Sequence, residues 1–238
     1  MAHALPAAGD VLRFYRDFCA TLPDEAEAYC GLLTHPEAGI PIVALLLGYN
    51  GPVAEGERVL RPAREFGQPL ADLVAPMPYA ARQRMLDDPN AIQGLHRYWR
   101  SAFTEQLDDG LFDAMVEEAA AFSSPLSALL FFYLHGAATR VPVGDTAFAA
   151  RRPQWDFDAI GCWGDGAESD RHISWVKSAW DRFEPHLKGD AYINHINVDD
   201  APEKVRASYG TNHDRLRELK GRYDPTNLFR INPNIAPG

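Results

Sequence analysis

A chain of 238 residues can bury a sizeable core, as one large domain or two small ones. Its 46% hydrophobic and 24% charged residues are those of an ordinary globular protein, and no apolar run approaches the roughly 20 residues a membrane helix needs. A net charge of −10 argues against a nucleic-acid partner, whose phosphates demand a basic surface.

In chain order, residues 10–22 carry Val11, Leu12, Phe14, Tyr15, Phe18 and Leu22 at helical spacing, with Pro23 as a stop. Residues 26–35 and 39–50 read as strands, the second apolar throughout and therefore central. A helix is expected over 53–66, with Pro62 kinking or shortening it and Gly67 as its cap. A short strand near 70–74, a helix from Tyr79 to Leu86 and a turn at Asp87-Asp88-Pro89-Asn90 follow. The aromatics of 94–107 favour a strand over its first half. Residues 108–122 form a helix with Leu111, Met115 and Phe122 inward. Strands at 127–136 and 151–163 flank a turn-rich stretch, and 167–184 is a helix burying Ile173, Val176, Trp180 and Phe183. The pattern implies an α+β fold, one large antiparallel sheet covered on one face by helices, with a C-terminal helix and an extended tail.

The end of the chain is the most informative stretch. Tyr192, Asn194 and Ile196 alternate with Ile193 and His195 like a strand. Leu216, Leu219 and Tyr223 mark an amphipathic helix, with Asn212 as its N-cap, Lys220 and Arg222 near its negative end, and Asp224-Pro225 as its stop. Beyond it, Asn227, Asn232 and Asn234 stand among Leu228, Phe229 and Ile235.

Tyr192-Ile193-Asn194-His195, Asp199, Tyr209-Gly210-Thr211-Asn212, Arg215-Leu216, Tyr223-Asp224-Pro225, Asn227, Phe229 and Asn232-Pro233-Asn234-Ile235 occur in one fixed order. The series resembles the C-terminal segment of berberine-bridge-enzyme-like FAD-linked oxidases. Pro76-Met77-Pro78-Tyr79, Tyr98-Trp99-Arg100-Ser101 and Asp145-Thr146-Ala147-Phe148 resemble landmarks of the preceding substrate domain. The resemblance implies a substrate-binding domain over 1–190 and the berberine-bridge-enzyme-like segment over 191–238. The free sheet face would roof the flavin ring. The family's FAD-binding domain is absent from this sequence, and no glycine-rich loop or G-x-G-x-x-G is present to hold a diphosphate.

The resemblance implies FAD as cofactor, a small organic substrate and a partnering FAD-binding domain or subunit; a homodimer closing the same face is the alternative. His195 stands where several relatives carry a tyrosine that is a candidate base. Histidine accepts protons more readily at neutral pH, so His195 and Tyr192 are the catalytic candidates. Asn194, Asn232 and Asn234 are the cofactor-binding candidates. Asp156 and Asp158 fall near where relatives place an acidic catalytic residue, although an exposed strand face is the favoured reading. His172, His186 and His213 read as surface histidines without metal-ligand spacing. Cys19, Cys30 and Cys162, odd in number and without C-x-x-C, read as reduced thiols in a cytoplasmic protein. The expectation is the substrate-side half of an FAD-dependent oxidoreductase of alcohols or similar molecules, inactive by itself. The alternative is a non-catalytic binding domain that kept the fold without flavin.

Overall fold

Six alternating segments pair into one sheet. The computed structural model describes residues 1–87, 92–197, 199–231 and 233–238. Its strands are β1 (Ala2–Ala4), β2 (Ala26–Thr34), β3 (Pro41–Tyr49), β4 (His96–Thr104), β5 (Ala128–Leu134) and β6 (Gln154–Trp163). They lie in the order β1-β3-β2-β5-β6-β4, with every neighbouring pair antiparallel. The α+β architecture is as the sequence implies.

Register decides which residues share a face. Cys30 opposes Phe131, Leu32 opposes Leu129, and Phe131 opposes Phe157. These are buried, and onto them pack the helices Ala8–Cys19, Asp109–Ala120 and Ser169–Phe183 through Leu12, Tyr15, Phe112, Met115, Trp180 and Phe183. Phe157 is the hub: Phe131, Trp180 and Phe183 rings surround it at 4.9, 6.1 and 5.2 Å. Each fully buried side chain of this size stabilises the fold by about 1.5–3 kcal/mol. Gly161 on β6 lets the Ser169–Phe183 helix come close, because a Cβ there would meet Val176 Cγ2 at 2.8 Å. The Asp108 side chain caps the Asp109–Ala120 helix by accepting from Leu111 N.

The opposite face carries Tyr29, Gly31 and Leu33 of β2, Ala44, Leu46 and Gly48 of β3, Leu130 and Phe132 of β5, and Ile160 of β6. Among the described residues no layer of helices covers it. These residues floor an open cavity of about 1330 Å³, roofed in part by Met77, Tyr79 and Met85. Arg82 ties that roof down by donating to Glu27 (2.8 Å) and to the Leu47 carbonyl (3.0 Å), lying flat over Gly48.

Several expectations change. β3 is not central; β2 and β5 are, and β3 lies next to the three-residue β1. Its continuous apolarity reflects two apolar surroundings, the helix-covered core and the open cavity. The strand at 70–74 reduces to a bridge between Ala71 and Ala2. Pro62 sits inside the Val53–Arg64 helix, which ends two residues later. The Tyr79–Gln83 helix is shorter than expected, and of the turn at 87–90 only Asp87 is described. His172 is buried, stacked on Trp163 with ring centroids 5.0 Å apart, rather than a surface histidine. The helix His213–Tyr223 forms, but it leaves Leu219 and Tyr223 exposed. Asn212 precedes that helix without capping it, because its side-chain amide donates instead to the carbonyls of Val143 and Thr146.

Candidate active site

The stretch 191–197 is not a strand. Ile193–His195 is a single 3-10 turn, entered from an extended Tyr192. The backbone ladder to β4 stops at Asp190, and Asn197 meets that edge through its side chain instead. Lys188 N donates to Phe103 O, Phe103 N donates to Asp190 O, and the Asn197 side chain donates to Trp99 O. Asparagine and histidine, which bond readily to nearby groups, favour the turn.

The turn carries His195 over the open face to two acids of β6. His195 Nδ1 lies 3.0 Å from Asp156 Oδ2 and 3.2 Å from Asp158 Oδ2. Asp156 and Asp158 are 6% and 4% exposed, so they are not the exposed strand face read from the sequence. Ser101 of β4 donates to Asp156 Oδ1 at 3.0 Å. The Nδ1 atom has no aligned hydrogen bond, so the contact is one of charge shared between two carboxylates. Burial disfavours the imidazolium, but the proximity and negative charge of Asp156 and Asp158 outweigh it and raise the His195 pKa to about 10. Burial, with the charge of Asp158, raises Asp156 above the usual carboxylate range even though His195 and Ser101 pull it down.

Tyr192 packs edge-on against the His195 ring at 5.0 Å, and its hydroxyl accepts from Asn194 Nδ2 at 2.8 Å. Tyr192, Asn194 and His195 therefore meet through a turn rather than along one strand face. Phe132 of the cavity floor lies 6.4 Å from the His195 ring, which puts the charged cluster at the margin of the apolar face. Asn194 is exposed. Asn232 lies outside the described residues. Asn234 is exposed in a tail whose end, Gly238, returns to Gly221 and Arg217 of the His213–Tyr223 helix. Among the described residues no hydrogen bond joins Asn234 to the His195 cluster.

The sequence understated Asp156 and Asp158. Two acids at i and i+2 in the run Trp155–Ile160 must share one face, and beside Leu130 and Phe132 that face is apolar. Buried acids there require a counter-charge. Asp156, Asp158 and His195 are also the one group of described residues with ligand atoms spaced for a metal. Here the imidazolium supplies the positive charge. The three cysteines are free and buried.

Residues 191–236 match the family model of berberine and berberine-like proteins. The chain is 26% identical over 214 residues to an FAD-linked oxidoreductase of Dictyostelium discoideum, across 89% of this chain and 45% of that one. It is 27% identical over 201 residues to an uncharacterized FAD-linked oxidoreductase of Bacillus subtilis, across 79% of this chain and 43% of that one. A solved structure of the Arabidopsis thaliana protein BBE-like 28 superposes with a TM-score of 0.79 at 15% identity, covering 99% of this chain and 55% of that one. The chain is thus similar in sequence and fold to the C-terminal region of FAD-linked oxidoreductases. Within that likeness residues 191–236 carry the berberine-like segment, and the chain spans about half the length of the curated relatives it matches.

Proposed function

We propose that this chain forms the substrate side of an FAD-dependent oxidoreductase, oxidising an alcohol or similar small organic molecule in company with a flavin-binding domain or subunit. Residues 1–190 form the substrate-binding part and 191–238 the segment that brings in the base. The observation that carries the reading is His195, at the place of a family tyrosine, backed by two buried carboxylates beside an open apolar sheet face.

The flat apolar floor of Leu46, Leu130, Phe132 and Ile160 fits an aromatic ring system and an organic substrate, whereas nothing in the sequence fits a diphosphate. When bound, FAD supplies the hydride acceptor. This chain's part is the proton. His195, in its neutral form, accepts the substrate hydroxyl proton on the ring nitrogen turned away from the carboxylates, while Asp156 and Asp158 fix the ring and stabilise the imidazolium that forms. Tyr192 packs the ring and is itself held by Asn194.

With a pKa of about 10, only about one ring in a thousand is neutral at neutral pH. Turnover of the chain combined with a flavin-binding partner therefore climbs about tenfold per pH unit towards pH 10. His195→Ala removes that rising limb. A flat profile across this range, or a rising limb that survives His195→Ala, overturns the assignment. The chain alone neither holds FAD tightly nor turns over, and flavin absorbance that stays with the isolated chain through gel filtration refutes that expectation.

A further inference from the structure

β4 is an edge strand, and what closes it is not another strand. Residues 188–197 and 199–204 run along it as a strap. Lys188 N donates to Phe103 O (2.8 Å) and Phe103 N to Asp190 O (2.9 Å). Asn197 Nδ2 donates to Trp99 O (2.9 Å), Lys204 Nζ to Ser101 O (2.7 Å), and the Trp99 indole to the carbonyl of His195 itself (2.8 Å). The strap thus delivers the His195 ring to the open face.

The charge that anchors the strap lies on the other side. Arg100 and Tyr98 oppose Ala159 and Gly161, on the helix-covered face. Asp200, nearly buried, accepts from Arg100 Nη1 (2.6 Å), Lys204 Nζ (3.1 Å) and Asn197 N (2.7 Å). Asp199 accepts from the Tyr98 hydroxyl (2.6 Å) and Arg100 Nη2 (3.1 Å). Lys204 also lies over the Trp180 ring at 5.6 Å.

We propose that the Arg100–Asp199–Asp200–Lys204 cluster is the positioning device of His195, setting from the far side of the sheet how the ring meets Asp156 and Asp158. The inference rests on the reading of His195 given above. A ring on a strap and two acids on β6 belong to different elements, so their contact is only as good as the strap's register. Partly buried ion pairs contribute little net stability for their desolvation cost, and one attested use for them is to fix geometry. Asp200 links directly to Asn197, and Asn197 and His195 both bond to Trp99. The charged and titratable groups facing the ring are Asp156 and Asp158 from β6 and Tyr192 from the strap; Phe132 faces it from β5.

The test is an NMR pH titration of the His195 imidazole in the isolated chain without flavin, the resonance assigned with His195→Gln. Asp200→Asn is expected to lower the His195 midpoint by about one unit or more. Arg100→Lys, which keeps a cation on Asp200, is expected to retain most of the wild-type value. Should Asp200→Asn fail to fold, Lys204→Met removes one of the two cations and is read in the same way. A folded variant that melts earlier but titrates like wild type shows a merely structural role and overturns the proposal. A wild-type His195 with an ordinary midpoint overturns the underlying reading of the site instead, so the two failures are distinguishable.

Discussion

Two buried aspartates and one histidine meet at the margin of the open face, and each is tuned by the others. Asp158→Asn removes half of the negative charge around Nδ1, so the His195 midpoint should fall below about 10, a shift NMR titration reads directly. The same linkage governs stability. The His195 pKa is raised on folding, so the stabilisation from its pairing is complete below the ordinary histidine value and is lost as pH rises through about 10. The melting temperature of wild type should therefore decline towards pH 10 more steeply than that of His195→Gln. Parallel declines would show that the pairing does not contribute. His195 was legible in the sequence because it breaks a family pattern. Its acids were noticed but underrated, since an aspartate pair in an otherwise apolar strand looks like a solvated face until register sets Leu130 and Phe132 beside it.

At the scale of elements, the long periodic segments were legible and the turns were not. The helices Ala8–Cys19 and Ser169–Phe183 and the strands β2, β5 and β6 follow from spacing alone. The segment 191–197 misled because its alternation is real but its backbone turns away from β4 after Asp190, leaving the Asn197 side chain to meet Trp99. Asn212 misled because a cap and a loop anchor require the same side chain, and the loop won. Helix-to-sheet spacing yields its own prediction. Gly161→Ala places a methyl 2.8 Å from Val176 Cγ2, and should cost about 1–3 kcal/mol by denaturant unfolding as the Ser169–Phe183 helix is pushed off the sheet. A neutral result would show that Val176 simply swings aside.

For the whole molecule, the two faces of the sheet lead different lives, and adjacent residues report them. Phe131 is fully buried among Tyr15, Phe112 and Phe157, and Phe131→Ala should cost about 3–5 kcal/mol. Phe132 points to the open cavity, so Phe132→Ala should cost distinctly less in the isolated chain while weakening association with a flavin-binding partner in a pull-down. Equal costs would mean the open face is closed in solution, as a homodimer would close it. The exposed Leu228, Phe229 and Ile231 of the tail add to the apolar surface that a partner would cover.

The strap along β4 has a consequence for how the molecule is born. During synthesis from the N-terminus, β4, β5 and β6 leave the ribosome before residue 195, so the sheet is offered two acids on an apolar face while the histidine that pairs with them is still being made. Burying them unpaired is costly, and the nascent sheet therefore keeps that corner wet until the strap docks. A polypeptide released before residue 195 would carry a hydrated, unpaired corner, the kind of defect that proteases and chaperones recognise.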